Sequence, residues 1–272
     1  MNIYLDKVEL EQLSSMQINS GIDGTIYRLN NGTLYKIYHP HMPIKQLVSV
    51  QSGLDSEGVR IFRKEDFRQP LSYLHNPENY IKLRAEDAIK MAMTKQKDIK
   101  LTTLPLGCIY VNNRFKGTVL KDFRYAISIY SLKNLPYSIR LKVVKQILQR
   151  LKELWNHNIY PIDLACKPYH KSNVLLKYNL VPEIIELDGR STIYCDCFIS
   201  EFYQKSIYSF QCLMLELLYD FPISESYSSL EILENQLLLE ENKVPNSYID
   251  SFVIQKSNLE EIEAFLQLKK SR

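Results

Sequence analysis

A chain of 272 residues, 45% apolar and 24% charged, can bury one large core or two smaller ones and has the composition of an ordinary globular protein. Its formal net charge of +3 gives no ground for expecting a nucleic-acid partner, and no apolar run reaches the roughly 18 residues that a membrane-spanning helix needs. The five cysteines (Cys108, Cys166, Cys195, Cys197 and Cys212) are scattered, and Met1–Lys7 lacks a basic region followed by an apolar core, so the expected setting is a reducing cytoplasm without a signal peptide.

The early chain reads as strands and turns. Gly21–Leu29 and Thr33–Tyr38 form a predicted hairpin around Asn30-Asn-Gly32. Leu34, Lys36 and Tyr38 alternate with Tyr35 and Ile37, as in a strand. Residues 44 to 78 are broken by Gly53, Gly58, Pro70 and Pro77 and give no clear element. Glu78 to Lys97 reads as a helix with Ile81, Ala85, Ala88, Ile89, Ala92 and Met93 on one side. Two strands follow, Leu104–Val111 and Phe115–Leu120, with a turn at Asn112-Asn113. A long helix is predicted from Tyr137 to His157, because Leu141, Val144, Ile147, Leu148, Leu151, Leu154 and Trp155 keep a helical period. Ile159 to Gly189 reads as short strands and loops, and Ser206 to Tyr219 as a buried helix. Ser228-Ser-Leu-Glu231 and Ser257-Asn-Leu-Glu260 have the form of capping boxes opening two terminal helices. Strands therefore precede helices, which predicts an α+β chain: a small sheet unit over 1–122 and a helical unit over 123–272, with a hinge at Lys121-Asp-Phe123 beside a cleft.

The chemistry-bearing residues fall in one stretch. Asp163 closes the segment Ile159-Tyr-Pro-Ile-Asp-Leu164. Asn173 opens the apolar run Asn173-Val-Leu-Leu176. Glu186 and Asp188 end the run Ile184-Ile-Glu-Leu-Asp-Gly189. One carboxylate to orient an acceptor hydroxyl, with an amide oxygen and further carboxylates to hold magnesium, is the inventory of phosphoryl transfer. Two carboxylates at i and i+2 on a strand end point to the same side.

In their order these segments resemble the protein-kinase-like fold, which includes eukaryotic-type protein kinases and the aminoglycoside phosphotransferase relatives. The resemblance runs from about Gly21 to Tyr219. Gly21-x-x-Gly24-Thr-Ile-Tyr27 is similar to a glycine-rich loop, where backbone N–H groups approach phosphates. Lys36 on the next strand then implies the phosphate-pairing lysine, and Glu86 on the following helix its partner, with Asp87 second. Phe115–Leu120 resembles the strand entering the hinge, so backbone groups from Val119 to Lys121 would meet the adenine edge. Asp163 would be the catalytic base and Lys167 an aid to the transferred phosphate, with Asn173, Glu186 and Asp188 as magnesium ligands. A competing alignment matches Tyr169–Asn173 to the aminoglycoside kinases and puts Pro168 at the base position. For the acidic pair, either Glu186 or Asp188 can hold the principal register. The helix from Ser206 resembles the buried kinase helix, with Ser206 replacing its structural Asp.

The chain also departs from the family. Pro161 and Ile162 stand where His and Arg are usual, Asn173 follows Asp163 by ten residues in place of five, and Ser206 follows Asp188 by only 18 positions. So short a span suits a small-molecule or unconventional protein acceptor. The resemblance implies ATP and Mg2+ as cofactors, a nucleotide and a phosphoryl acceptor as partners, and no membrane. Two readings follow: an ATP-dependent phosphotransferase, or a pseudokinase that keeps the fold for nucleotide binding or scaffolding.

Overall fold

The computed structural model describes residues 1–21, 24–39, 45–47, 82–166, 171–188, 192–195, 198, 200–219 and 258–268. The order begins with β1 (Asn2–Leu5), α1 (Lys7–Gln12), β2 (Gln17–Ser20), β3 (Gly24–Arg28) and β4 (Thr33–Tyr38). It continues with β5 (Lys45–Leu47), β6 (Lys82–Arg84), α2 (Ala85–Lys95), β7 (Gly107–Val111), β8 (Arg114–Lys121) and β9 (Ile127–Ser128). Then come α3 (Tyr137–Asn156), β10 (Ile159–Pro161), β11 (Ala165–Cys166), β12 (Lys171–Ser172), β13 (Val174–Lys177) and β14 (Val181–Ile184). The last described elements are β15 (Thr192–Tyr194), α4 (Ser200–Tyr219) and α5 (Leu259–Leu268). The fold is α+β, and it divides into two compact units. The first holds Met1–Tyr125, Asn156–Ile159 and Glu186–Phe198, the second Ala126–Trp155, Tyr160–Ile185 and Ile199–Arg272. The first break thus lies three residues beyond the boundary expected at 122, and two later segments return to the first unit.

In the first unit a six-stranded sheet runs β1-β7-β8-β4-β3-β2, antiparallel except where β1 lies parallel to β7. Side chains alternate between its faces. Tyr35, Ile109 and Val119 join Leu13 in a core with Ile3, Leu5, Leu10 and Ile37 packed around it. The opposite face carries Lys36, Cys108 and Thr118, all buried, and lies on the side of α2, whose Ala88, Ile89 and Ala92 are also buried. Cover on both faces accounts for β7, where Gly107, Cys108, Ile109 and Val111 are all buried. Asn112 and Asn113, at φ 50° and 59°, form the two-residue turn from β7 to β8, since a tight hairpin needs positive φ at both positions. Gly32, at φ +79°, ends the three-residue turn from β3 to β4.

The second unit is built on α3 and α4. Leu141, Val144, Ile147, Leu151 and Leu154 of α3 are buried at the predicted period. Phe202, Ile207, Phe210, Leu213, Met214, Leu215 and Leu217 bury almost every side of α4. Beside them lies a three-stranded sheet, β14-β13-β9.

Several expected elements change at their ends; three are instructive. The helix expected over 78–97 is α2 over Ala85–Lys95, preceded by the strand Lys82–Arg84, while 78–81 lie outside the described residues. The helix expected from Ser206 begins at Ser200, because the apolar pattern extends back to Phe202. The cap of α5 is Asn258, not Ser257: its side-chain oxygen accepts from Glu260 N–H at 2.9 Å and its carbonyl from Ile262 N–H at 3.1 Å. The box at Ser228 lies outside the described residues. An unforeseen capping box opens α1, where Asp6 Oδ1 accepts from Glu9 N–H and Glu9 Oε2 from Asp6 N–H, both at 2.8 Å.

Candidate functional site

Lys36 sits on β4 between Ile26 of β3 and Thr118 of β8. Its long side chain therefore rises from mid-sheet, where water does not reach. Its Nζ lies 2.9 Å from Asp188 Oδ2, and the two side chains are only 7% and 2% exposed. Burial opposes the ammonium charge, but the Asp188 and Glu186 carboxylates outweigh it and hold Lys36 above its usual value. Two residues along the same face, Tyr38 reaches the same carboxylate. Its hydroxyl lies 3.1 Å from both the backbone oxygen and Oδ2 of Asp188, either of which can take its proton. Burial, then the Asp188 charge, push the Tyr38 phenol well above its ordinary range, so it stays a donor.

The acidic loop is braced from β15. Tyr194 O–H donates to Leu187 O at 2.5 Å, and Thr192 Oγ1 to Glu186 O at 3.5 Å. Glu186 takes φ 57°, a left-handed conformation that costs a non-glycine residue about 1 kcal/mol or more and that surrounding contacts must sustain. Lys95 of α2 secures the exit of β15, with Nζ donating to His157 O at 2.6 Å and Cys195 O at 2.9 Å.

The second group lies within the other unit. Asn173 Nδ2 donates to Asp163 O at 2.6 Å, Asn173 N–H to Leu164 O at 3.1 Å, and Asn173 O accepts from Ile185 N–H at 2.8 Å. Ser172 Oγ donates to Leu164 O at 2.5 Å. From α4, Ser209 Oγ accepts from Leu164 N–H at 2.7 Å, and Ser206 Oγ donates to Pro161 O while accepting from Trp155 Nε1 at 2.8 Å. The Pro161–Leu164 segment is therefore fixed along its backbone by short polar side chains, which presents the Asp163 side chain from a defined position.

The expected residues fall into four situations. Lys36, Glu186 and Asp188 come together in the first unit, and Asp163 and Asn173 in the second. Glu86 does not pair with Lys36: its carboxylate takes Lys90 Nζ at 2.7 Å and Tyr110 O–H at 2.9 Å, while Asp188 is the ion partner of Lys36. The reason is packing, since Asp188 arrives on the face of β4 where Lys36 and Tyr38 point. Gly21 is exposed, and its N–H donates to Gly24 O at 3.0 Å. Gly24 is required by the sheet itself, because a Cβ there would stand 2.3 Å from Ile37 O. Val119 is buried and its carbonyl accepts from Leu106 N–H at 2.8 Å, while Lys121 is exposed at the end of β8. Asp122, expected in the hinge, is tied to the sheet by Arg28 Nε at 3.0 Å and by its N–H to Gly32 O. Lys167 lies outside the described residues.

Sequence reasoning missed Tyr38, Thr192, Tyr194 and Ser209 as anchors, and it named Ser206 only as the replacement for the structural Asp of its helix. Only Tyr38 carried a signal, its same-face spacing from Lys36. No family model matches the chain, and no curated protein does. Among the described residues, no helix is long and apolar enough to cross a membrane.

Proposed function

We propose that the chain is an ATP-dependent phosphotransferase of the protein-kinase-like type, moving a γ-phosphoryl group to a hydroxyl of a small molecule or an unconventional protein. The observation that carries this reading is the buried Lys36–Asp188 pair with Glu186 beside it. A buried ion pair is a poor way to gain stability, because desolvating two charges offsets their attraction. Its presence beside a second carboxylate on a strained backbone is better accounted for by a site. A glycine turn, a strand lysine, a helix and a returning hairpin precede the acidic loop, in the order the resemblance implies. The two-lobe kinase arrangement and a nucleotide partner belong to the same proposal.

Magnesium suits the donors at this loop. Glu186 and Asp188 offer hard carboxylate oxygens, and Asp188 Oδ1 has no hydrogen-bond or ion partner among the described residues. Among those residues no three His, Cys, Asp or Glu side chains gather as a metal cage. The ion supplies charge neutralisation at the phosphates. Lys36 would pair with phosphate oxygens and Asp163 would orient the acceptor hydroxyl, so the rate would rest on positioning and charge. Asn173 holds the Asp163 backbone through Nδ2, and its amide oxygen would serve as a magnesium ligand.

The test is a melting curve with ATP and Mg2+. A ligand that binds only the folded state stabilises it by about 2.7 kcal/mol at a hundred times its Kd. The parent protein should shift upward and Asp188→Asn should lose the shift; an unmoved parent curve rejects nucleotide binding.

A second reading, a nucleotide-binding pseudokinase, is favoured by Tyr38 holding Asp188 together with Lys36. It predicts the same shift with no turnover on any acceptor.

A further inference from the structure

We infer that Tyr38 is a positioning residue that gives the acidic site its preference for Mg2+ over larger cations, an inference that rests on the nucleotide reading above. Asp188 divides its two oxygens unequally. Oδ2 receives Lys36 Nζ at 2.9 Å and faces the Tyr38 hydroxyl at 3.1 Å, whereas Oδ1 has no partner among the described residues. The same hydroxyl lies 3.1 Å from the Asp188 backbone oxygen, so one phenol fixes both the main chain and the side chain of that residue. The ring is itself fixed: its centroid lies 5.9 Å from that of Phe115, which lies 6.2 Å from Tyr110.

A carboxylate held in this way offers a cation Oδ1 more readily than Oδ2, whose lone pairs are already shared with donors. Mg2+ accepts single oxygens in a strict octahedron, whereas Ca2+ tolerates a carboxylate bound through both. Once Lys36 turns to phosphate, Tyr38 is the remaining donor on Oδ2. Selectivity at this site therefore passes through a hydroxyl that touches no metal.

The experiment is calorimetric titration of the full chain with adenylyl imidodiphosphate, as its magnesium and as its calcium complex, for the parent, Tyr38→Phe and Tyr38→Leu. The parent should bind the magnesium complex more tightly. Both variants should lose that preference by about tenfold, the weight of one hydrogen bond to a charged group. The circular dichroism spectrum of each variant establishes its fold, and Tyr38→Leu removes the hydroxyl by a second route if one variant fails to fold. An unchanged magnesium-to-calcium ratio in a folded variant overturns the role of Tyr38 and leaves the phosphotransferase reading standing. A parent that binds neither complex overturns both.

Discussion

In the first unit a charge is held by charges: Lys36 by Asp188 and Glu186, with Tyr38 closing the group. In the second, the Pro161–Leu164 segment is held by neutral groups, Asn173, Ser172, Ser206 and Ser209, acting on the backbone. The two designs answer different needs. Ionic contacts can be exchanged for those of a charged ligand, so the centre built from them can reorganise on binding. Backbone hydrogen bonds cannot be traded for a ligand, so they hold Asp163 where it is.

The comparison is broken most severely by Asp188→Ala. It leaves a buried ammonium with reduced compensation and should cost about 3–5 kcal/mol, read as a lower midpoint in denaturant unfolding. Ser209→Ala comes next. It strands the buried Leu164 N–H and should cost about 1–3 kcal/mol, while the response to ATP and Mg2+ persists and turnover falls. Equal losses of nucleotide response in Asp188→Ala and Ser209→Ala would erase the distinction between the two centres.

The smallest effect is a pH profile with two signs. At Lys36, burial is outweighed by carboxylates and the folded value lies above the ordinary 10.5. The unfolded chain then gives up its proton first, so this contribution is whole below about pH 10 and is lost as pH rises through the folded value. Tyr38 and Tyr194, raised by burial and then by the Asp188 charge, act in the same direction. At Lys205, burial prevails and holds the ammonium down to about 8. There the unfolded chain keeps the proton longer, and stability should rise between about pH 8 and 10.5. The midpoint in chemical unfolding should therefore climb slightly above pH 8 and fall beyond pH 10, and Lys205→Met should remove the climb alone.

Much of the local structure was legible. Asn112-Asn113 and Gly32 marked the turns, the seven apolar residues of α3 marked its buried side, and alternation placed Lys36 on a strand. Asn173 stood out at the head of β13, though its amide nitrogen proved to be tied to Asp163. The partner of Lys36 was not legible: helix order pointed to Glu86, and the ion pair is with Asp188, whose neighbour Tyr38 is 150 positions away in the chain. Equally hidden was Ser209, because a serine in a buried helix has no pattern that names the carbonyl or N–H it will meet.

What the sequence determined by itself is the run of strands and helices, their turns, and the stock of lysine, asparagine and carboxylates. Periodicity and turn chemistry act over a few residues and are written in consecutive letters. Which carboxylate faces Lys36, which serine holds Leu164, and that Glu186 takes a left-handed backbone were decided by tertiary structure. Those outcomes depend on which faces pack together, and a buried charge or polar group accepts whatever complementary partner packing brings within about 3 Å.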